Sequence, residues 1–289
     1  MQFGIANSST KMLLHVSRCH SLLFSFVFTL VALTFPSSGR AQPAARVSWA
    51  GPPTPTSVRL AVQPTKETAT VLVSTRSDLA SPVARLAVTK HAFVVDVEGL
   101  IPESQYYYGI DSMTAEEVGT FRTPASKRGA FRIAVGACSW SRENGAVFAN
   151  IASLKPQPLV FIHAGDLFYG DIAENDMQRY ETAFHRIHAG EQRHVFRAMP
   201  TMYIWDDHDF GPNNADGSSL SKPAALAAFR KYVPATVAVE KSQLAAESVS
   251  SAGVFQSYEI QGVLFIVTGN CLHSNYARIF VNLDDHCEV

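Results

Sequence analysis

From Ser57 onward, apolar and polar residues alternate in short bursts. SVRLAVQ, TATVLVSTR, VARLAVT and AFVVDVEGL each place Val, Leu or Ala at about every second position, the period of a half-buried strand. Turn-forming clusters separate them: Pro64-Thr65-Lys66, and Ser77-Asp78 through Pro82. Then come GLIPESQYYYGI (Gly99–Ile110) and EEVGTFRT. Several short strands at regular spacing predict a β-sandwich over residues 46–125. The Pro- and Ala-rich stretch before it, from Gln42 to about Pro55, reads as a lead-in.

Thr123–Gly129 is a polar hinge, and the pattern changes after it. FRIAVGAC (Phe131–Cys138) is nearly continuously apolar, as buried strands of α/β sheets are. PLVFIHAGDLFYGD (Pro158–Asp171) and MPTMYIWDDHDFGPNN (Met199–Asn214) each begin as an apolar strand and end in acidic residues. Between them, Gly145–Leu154 predicts a helix, and Asn175–Gly190 carries Tyr180, Phe184 and Ile187 at helical spacing. Lys222–Tyr232 predicts another helix. VFQSYEIQGVLFIVT predicts two strands with Gln261-Gly262 at the turn. Alternating strands and helices imply a layered α/β region over residues 130–268. The expected whole is therefore an α+β, multidomain protein.

The N-terminus alters the picture of where the chain works. Lys11 and Arg18 precede an apolar run from Leu22 to Phe35, and Pro36 to Gly39 break it. That run is shorter than the roughly 20 residues of a membrane span. It has the order of a secretory signal, with small residues near Ala41 for cleavage. Residues 1–41 are thus expected to be a signal peptide, or an uncleaved anchor, and the remainder to be secreted or extracytoplasmic. Cys19 falls inside that segment. The other cysteines are Cys138, Cys271 and Cys287, and no CxxC pair occurs, which excludes a zinc ribbon or thioredoxin motif. Lys+Arg number 24 against 25 Asp+Glu, so no basic excess favours a nucleic acid as partner.

Three clusters occur where apolar strands end, the place where open α/β sheets put ligands. They are Cys138 in VGACSW, Asp166 and Tyr169 in GDLFYGD, and Asp206-Asp207-His208-Asp209 in WDDHDFGPNN. Each alone has a plain structural reading: a turn, a paired cysteine, a helix cap. Together they assemble hard oxygen donors and a thiolate, a donor set suited to iron, calcium or zinc. A nearby histidine can protonate a leaving oxygen. His163, His185, His188 and His194 read as structural or surface residues, and Lys222, Arg230 and Lys231 as a solvated helix face.

The order VG-x-C, GD-x-x-Y, W-D-D-H-D with N-N resembles the PhoD-like alkaline phosphatase family of the metallophosphoesterase superfamily. GL-x-P-x-S-x-Y-x-Y likewise resembles the end of a fibronectin type III-like domain, in which Tyr106 or Tyr108 would bond back onto the preceding corner. The resemblance covers roughly Val58–Thr268. It implies a fibronectin-like β-sandwich followed by a partial metallophosphoesterase domain, and hydrolysis of phosphate monoesters or diesters with Fe3+ and Ca2+. Carried over, Cys138, Asp166, Tyr169 and Asp207 are metal ligands, with Asp166 the bridge. His208 is the catalytic histidine, and Asn213 and Asn214 contact metal or phosphate. The family pattern continues with an Asp-x-Arg segment and later histidine loops. Here residues 269–289 form an atypical tail in which His273, Asp284, Asp285 and His286 match no ligand spacing, so a C-terminally truncated and impaired enzyme is expected. The alternative is a non-catalytic secreted β-sandwich binding module, which has no need for the acidic clusters. A haem or copper redox protein would need His and Met clusters that are absent.

Overall fold

A computed structural model describes residues 43–139, 145–235, 254, 256–268 and 278–283. The segment expected to be a signal, residues 1–41 with Cys19, and also Cys271, His273, Asp284, Asp285, His286 and Cys287 lie outside the described residues.

The alternating segment forms seven antiparallel strands in two sheets. Strands β1 (Ala45–Ala50), β2 (Ser57–Pro64) and β5 (Val94–Glu98) pair in the order β1-β2-β5. Strands β3 (Thr68–Ser74), β4 (Ala84–Thr89), β6 (Gln105–Ile110) and β7 (Gly119–Arg122) pair as β4-β3-β6-β7. The period-two pattern buries Val47, Val58, Leu60, Val71, Val73, Tyr106, Tyr108 and Phe121. The expected lead-in is in fact β1: its Pro and Ala content hides a run, RVSWA, that buries Val47 and Trp49 completely. The two tyrosines divide their roles. Tyr106 Oη accepts from the backbone N–H of Ile101 at 2.9 Å, closing the corner upstream of β6. Tyr108 instead points its hydroxyl at the Phe196 carbonyl, 3.3 Å away.

After the hinge the chain builds a parallel sheet of order β10-β9-β8, from β8 (Ile133–Gly136), β9 (Val160–His163) and β10 (Thr201–Tyr203). Helix α1 (Gly145–Ser153) lies between β8 and β9. Helices α2 (Met177–Ala189) and α3 (Arg193–Ala198) lie between β9 and β10. A short α4 (Asp207–Phe210) and α5 (Lys222–Tyr232) follow. Alternation along β9 sends Phe161 to one face, with Phe148 of α1 and Val195 of α3, and Val160 and Ile162 to the other. Helix α2 buries Tyr180, Ala183, Phe184, Ile187 and His188, one stripe at 3.6-residue spacing, and starts at Asp176, whose carboxylate accepts from Gln178 N at 2.9 Å. Strand β8 differs from expectation. It lies at the end of the described sheet, and Val135 is 57% exposed, so its apolar run reflects β-propensity more than burial.

Strands β11 (Gln256–Ile260), β12 (Val263–Thr268) and β13 (Arg278–Leu283) form an antiparallel meander. Residues counted as an atypical tail thus add a strand, registered from Thr268↔Arg278 to Val263↔Leu283.

The polar hinge marks a change of element type without a break in the core. Trp49 of β1 stacks on Phe196 at 4.8 Å, tilts against His188 and Tyr203, and donates from Nε1 to the Thr201 carbonyl at 2.8 Å. Phe93 meets Tyr232, and Arg59 donates to the Ala235 carbonyl. Gly51 allows this approach, since a β-carbon there would stand 2.2 Å from the Pro234 oxygen. Sandwich and α/β layers therefore share one hydrophobic core. Lys231, expected on a solvated face, forms an ion pair with Glu181 and so joins α5 to α2. Among the described residues no helix is long and apolar enough to cross a membrane.

Candidate metal centre

Each parallel strand delivers one loop to the same end of the sheet. The loop after β8 carries Cys138, the loop after β9 carries Asp166 and Tyr169, and the loop after β10 runs into α4. Backbone bonds zip the first two together: Cys138 N to Gly165 O at 3.0 Å, and Ser139 N to Asp166 O at 2.8 Å. The Ser139 hydroxyl adds a bond to Leu167 O at 2.7 Å. Gly165, at φ +113, passes so close to the third loop that a β-carbon would lie 2.6 Å from Asp206 Cβ. Only glycine fits there.

The WDDHDF run divides its labour. Asp206 and Asp209 form a capping box around α4: Asp206 Oδ1 accepts from Asp207 N at 3.0 Å, and Asp209 Oδ2 accepts from Asp206 N at 3.1 Å. Asp209 is buried and its Oδ1 also accepts from Phe168 N at 2.9 Å, tying the third loop to the second. Burial pushes its carboxyl well up. Capping turns Asp207 and His208 toward Asp166. One ligand-capable atom from each of Asp166, Asp207 and His208 falls within 4.8 Å of the others.

Asp166 lies at the centre of the cluster. It is buried, holds φ +54, and its Oδ1 has no hydrogen-bond partner. On Oδ2 it receives the Tyr169 hydroxyl at 3.1 Å and the Cys138 thiol at 3.4 Å. Burial raises the Cys138 thiol, and the Asp166 charge adds to that rise. Burial, the Cys138 contact and the Asp166 charge together raise Tyr169 far above the usual phenol range. Asp206 is raised too, first by burial and then by the charge of Asp166. All three shifts describe negative charge crowded into a partly dry site, which a cation relieves by drawing protons from thiol and phenol. A buried carboxylate oxygen without a partner is costly unless something positive meets it. The donor set and the orphaned oxygen therefore fit a metal.

The sequence-named residues stand as follows. Cys138, Asp166, Tyr169, Asp207 and His208 converge. Asn214, at φ +62, donates its backbone N–H to Asp207 Oδ2, so its link to the site runs through the main chain. Asn213 is exposed beside it. His163 and His188 are buried and pushed down to about 3 by burial, as neutral core imidazoles are. His185 Nε2 lies 2.7 Å from Gln63 Oε1, and His194 faces Glu191 on the surface. Sequence reasoning passed over Asp171, which closes GDLFYGD and sits 2.7 Å from His208 Nδ1. Its signal was an acidic residue ending a loop that already carried two ligand types.

No protein-family model matches the sequence, and no curated protein does. The chain is similar to a solved structure of PhoD, with a TM-score of 0.62 at 15% identity over 81% of this chain and 54% of that one. It thus spans about half of that structure's length. At this identity the likeness shows a PhoD-like fold.

Proposed function

We propose that this chain is an exported, metal-dependent phosphoesterase, acting on phosphate monoesters or diesters. The observation that carries the reading is the convergence of Cys138, Asp166, Tyr169, Asp207 and His208 at the ends of three parallel strands. The PhoD-like fold supports the same class of chemistry. Residues 1–41 act as its export signal, and residues 46–125 as a fibronectin type III-like domain.

Cys138, Asp166, Tyr169 and Asp207 would hold the metal, Fe3+ with Ca2+ in the resembled family. Bound metal of this kind lowers the pKa of a water nucleophile and offsets phosphoryl charge. The chain's own residues do the rest. Asp209 fixes the second loop against the third, keeping Asp166 and His208 in register. Asn214 orients the Asp207 carboxylate through its N–H. His208 hands a proton to the departing alcohol oxygen. Asn213 and the Asn214 side chain, at the exposed edge, meet the ester's phosphate.

The test is iron and calcium content of the purified protein, with turnover of a chromogenic phosphate monoester and diester on the same sample. Bound metal, and weak turnover lost on chelation and in Asp166→Ala, is the expected result. A folded protein without metal and without turnover on either ester overturns the reading.

A further inference from the structure

We propose that Tyr180 and Ser221 act together as positioning residues for the metal centre, clamping the C-terminal end of the short helix that presents Asp207 and His208; this rests on the phosphoesterase reading above. Helix α4 has four residues, Asp207–Phe210. A single turn is too short to hold its shape unaided. Its first end is secured by the capping box of Asp206 and Asp209. Its last end is held differently. The Phe210 carbonyl, one of the acceptors a helix leaves open, receives two hydroxyls: Tyr180 Oη at 2.8 Å and Ser221 Oγ at 2.9 Å. Tyr180 stands on α2, and Ser221 immediately precedes α5. A serine in that place ordinarily caps its own helix. Here its side chain makes no capping bond and turns back to Phe210 instead. Two longer helices thus grip one short helix at a single atom.

A carbonyl oxygen has two lone pairs, and a hydroxyl has one hydrogen to give. Tyr180 and Ser221 each spend theirs on Phe210. Ser219 Oγ, 2.6 Å from Ser221 Oγ, donates to Ser221 in turn. Tyr180, Phe210 and Ser221 are all buried. The Phe210 ring meets the Trp205 ring, centroids 5.1 Å apart, so main chain and side chain of one residue are both anchored. Gly211 lets the chain return this closely, since a β-carbon there would stand 2.7 Å from Ala215 Cβ and 3.1 Å from Ser221 Oγ. The clamped carbonyl shares its peptide with the Gly211 N–H, which donates to the Asp207 carbonyl at 2.8 Å. The clamp therefore reaches Asp207 across one peptide unit. The plain competing account is that two hydroxyls satisfy a buried carbonyl and add stability only.

The test compares wild type, Tyr180→Phe, Ser221→Ala and the double variant as full chains. The first readout is metal affinity, from titration of the metal-free protein with iron and with calcium against a competing chelator. Each single variant keeps one donor on the carbonyl and should lose little. The double variant strands a buried acceptor. It should lose about 10–100-fold, the scale for removing a partner that orients a ligand, and more than the two single losses multiplied. The second readout needs no metal: hydrogen exchange of the Phe210 and Gly211 amides, which donate to Asp206 O and Asp207 O. In the double variant, and to a smaller degree in Tyr180→Phe, these amides should speed up more than those of β2, the mark of a local opening. Should the double variant not fold, Tyr180→Phe carries the test: its α4 amides must outpace those of β2, or the role falls. Unchanged affinity in a folded double variant, or α4 and β2 amides accelerating alike, leaves the hydroxyls as stabilisers and overturns the clamp alone. A wild type that binds neither ion and turns over neither ester overturns the phosphoesterase reading and this role with it.

Discussion

The sandwich and the strand-end loops both contain residues in left-handed backbone conformations, but they spend them differently. In the sandwich these are Leu79, Ser81, Gly99 and Glu103, all at turns that reverse the chain. At the ends of the parallel strands they are Cys138, Gly165, Asp166, Asp171 and Asn214, three of them with side chains in the acidic cluster. Carboxylates divide in a similar way, apart from Glu117 of the sandwich, which accepts from the backbone N–H groups of Ala44 and Thr114. Asp78 and Asp96 of the sandwich face Arg76 and Arg59. The loop carboxylates meet backbone N–H groups, a thiol, a phenol and an imidazole. Strain at a turn is a cost of topology. Strain at a residue that carries chemistry is a cost accepted for geometry.

The largest effect that would sharpen this contrast is Asp166→Ala. Turnover should fall by more than the roughly 100-fold that loss of an outer partner costs. The metal-free protein should unfold at equal or higher denaturant, because the change removes a buried carboxylate oxygen with no partner. A large stability loss without metal would mean Asp166 is an architectural residue like those of the sandwich.

Next in size is Trp49→Ala, which leaves a cavity beneath Phe196 and frees the Thr201 carbonyl. The expected cost is about 3–5 kcal/mol, read from denaturant melts, with β and α/β signals shifting together. Two separated transitions in the wild type would break the claim of a shared core.

Acid should act through the core as well. His163 and His188 sit at about 3 when folded against an ordinary 6.5, so the unfolded chain takes up protons that the fold refuses. Their contribution is complete above pH 6.5 and drains away as pH falls toward 3. Between pH 7.5 and 5, wild type should lose about 2 kcal/mol more than His188→Leu, measured by urea midpoints. Buried Asp209 works in the opposite sense but is common to both proteins. The smallest effect is Tyr106→Phe. It frees the Ile101 N–H and should cost about 1 kcal/mol with turnover unchanged, which a melt and an assay on one sample would check.

Much of this was legible in residue patterns, for reasons that also explain the gaps. Period-two alternation revealed four of the sandwich strands, β2 to β5, because each buries residues at alternating positions. It failed for β1, whose run is short and flanked by Pro and Ala, although Trp49 is among the most buried side chains present. The five converging site residues were readable because each follows an apolar strand. Asp171 was not, since its meaning lies in a contact with His208, 37 positions on. A helix cap was one reading of the D-D-H-D run, but which of its four residues cap and which face inward appears only where the turn of α4 separates them. The shared core was missed because a polar hinge looks like a boundary whether or not side chains pack across it.

The bond from Trp49 to Thr201 spans 152 positions of chain. During synthesis the tryptophan emerges long before its acceptor exists, with the rings of His188 and Phe196 also still to come. The first strand can pair with the second early, yet its largest side chain waits for the tenth. Loop closure over that span is entropically slow and rewarded only late. The front of this protein is therefore made first and finished last, and an indole left uncovered in the interval is the point at which a nascent chain is most exposed to the wrong partner.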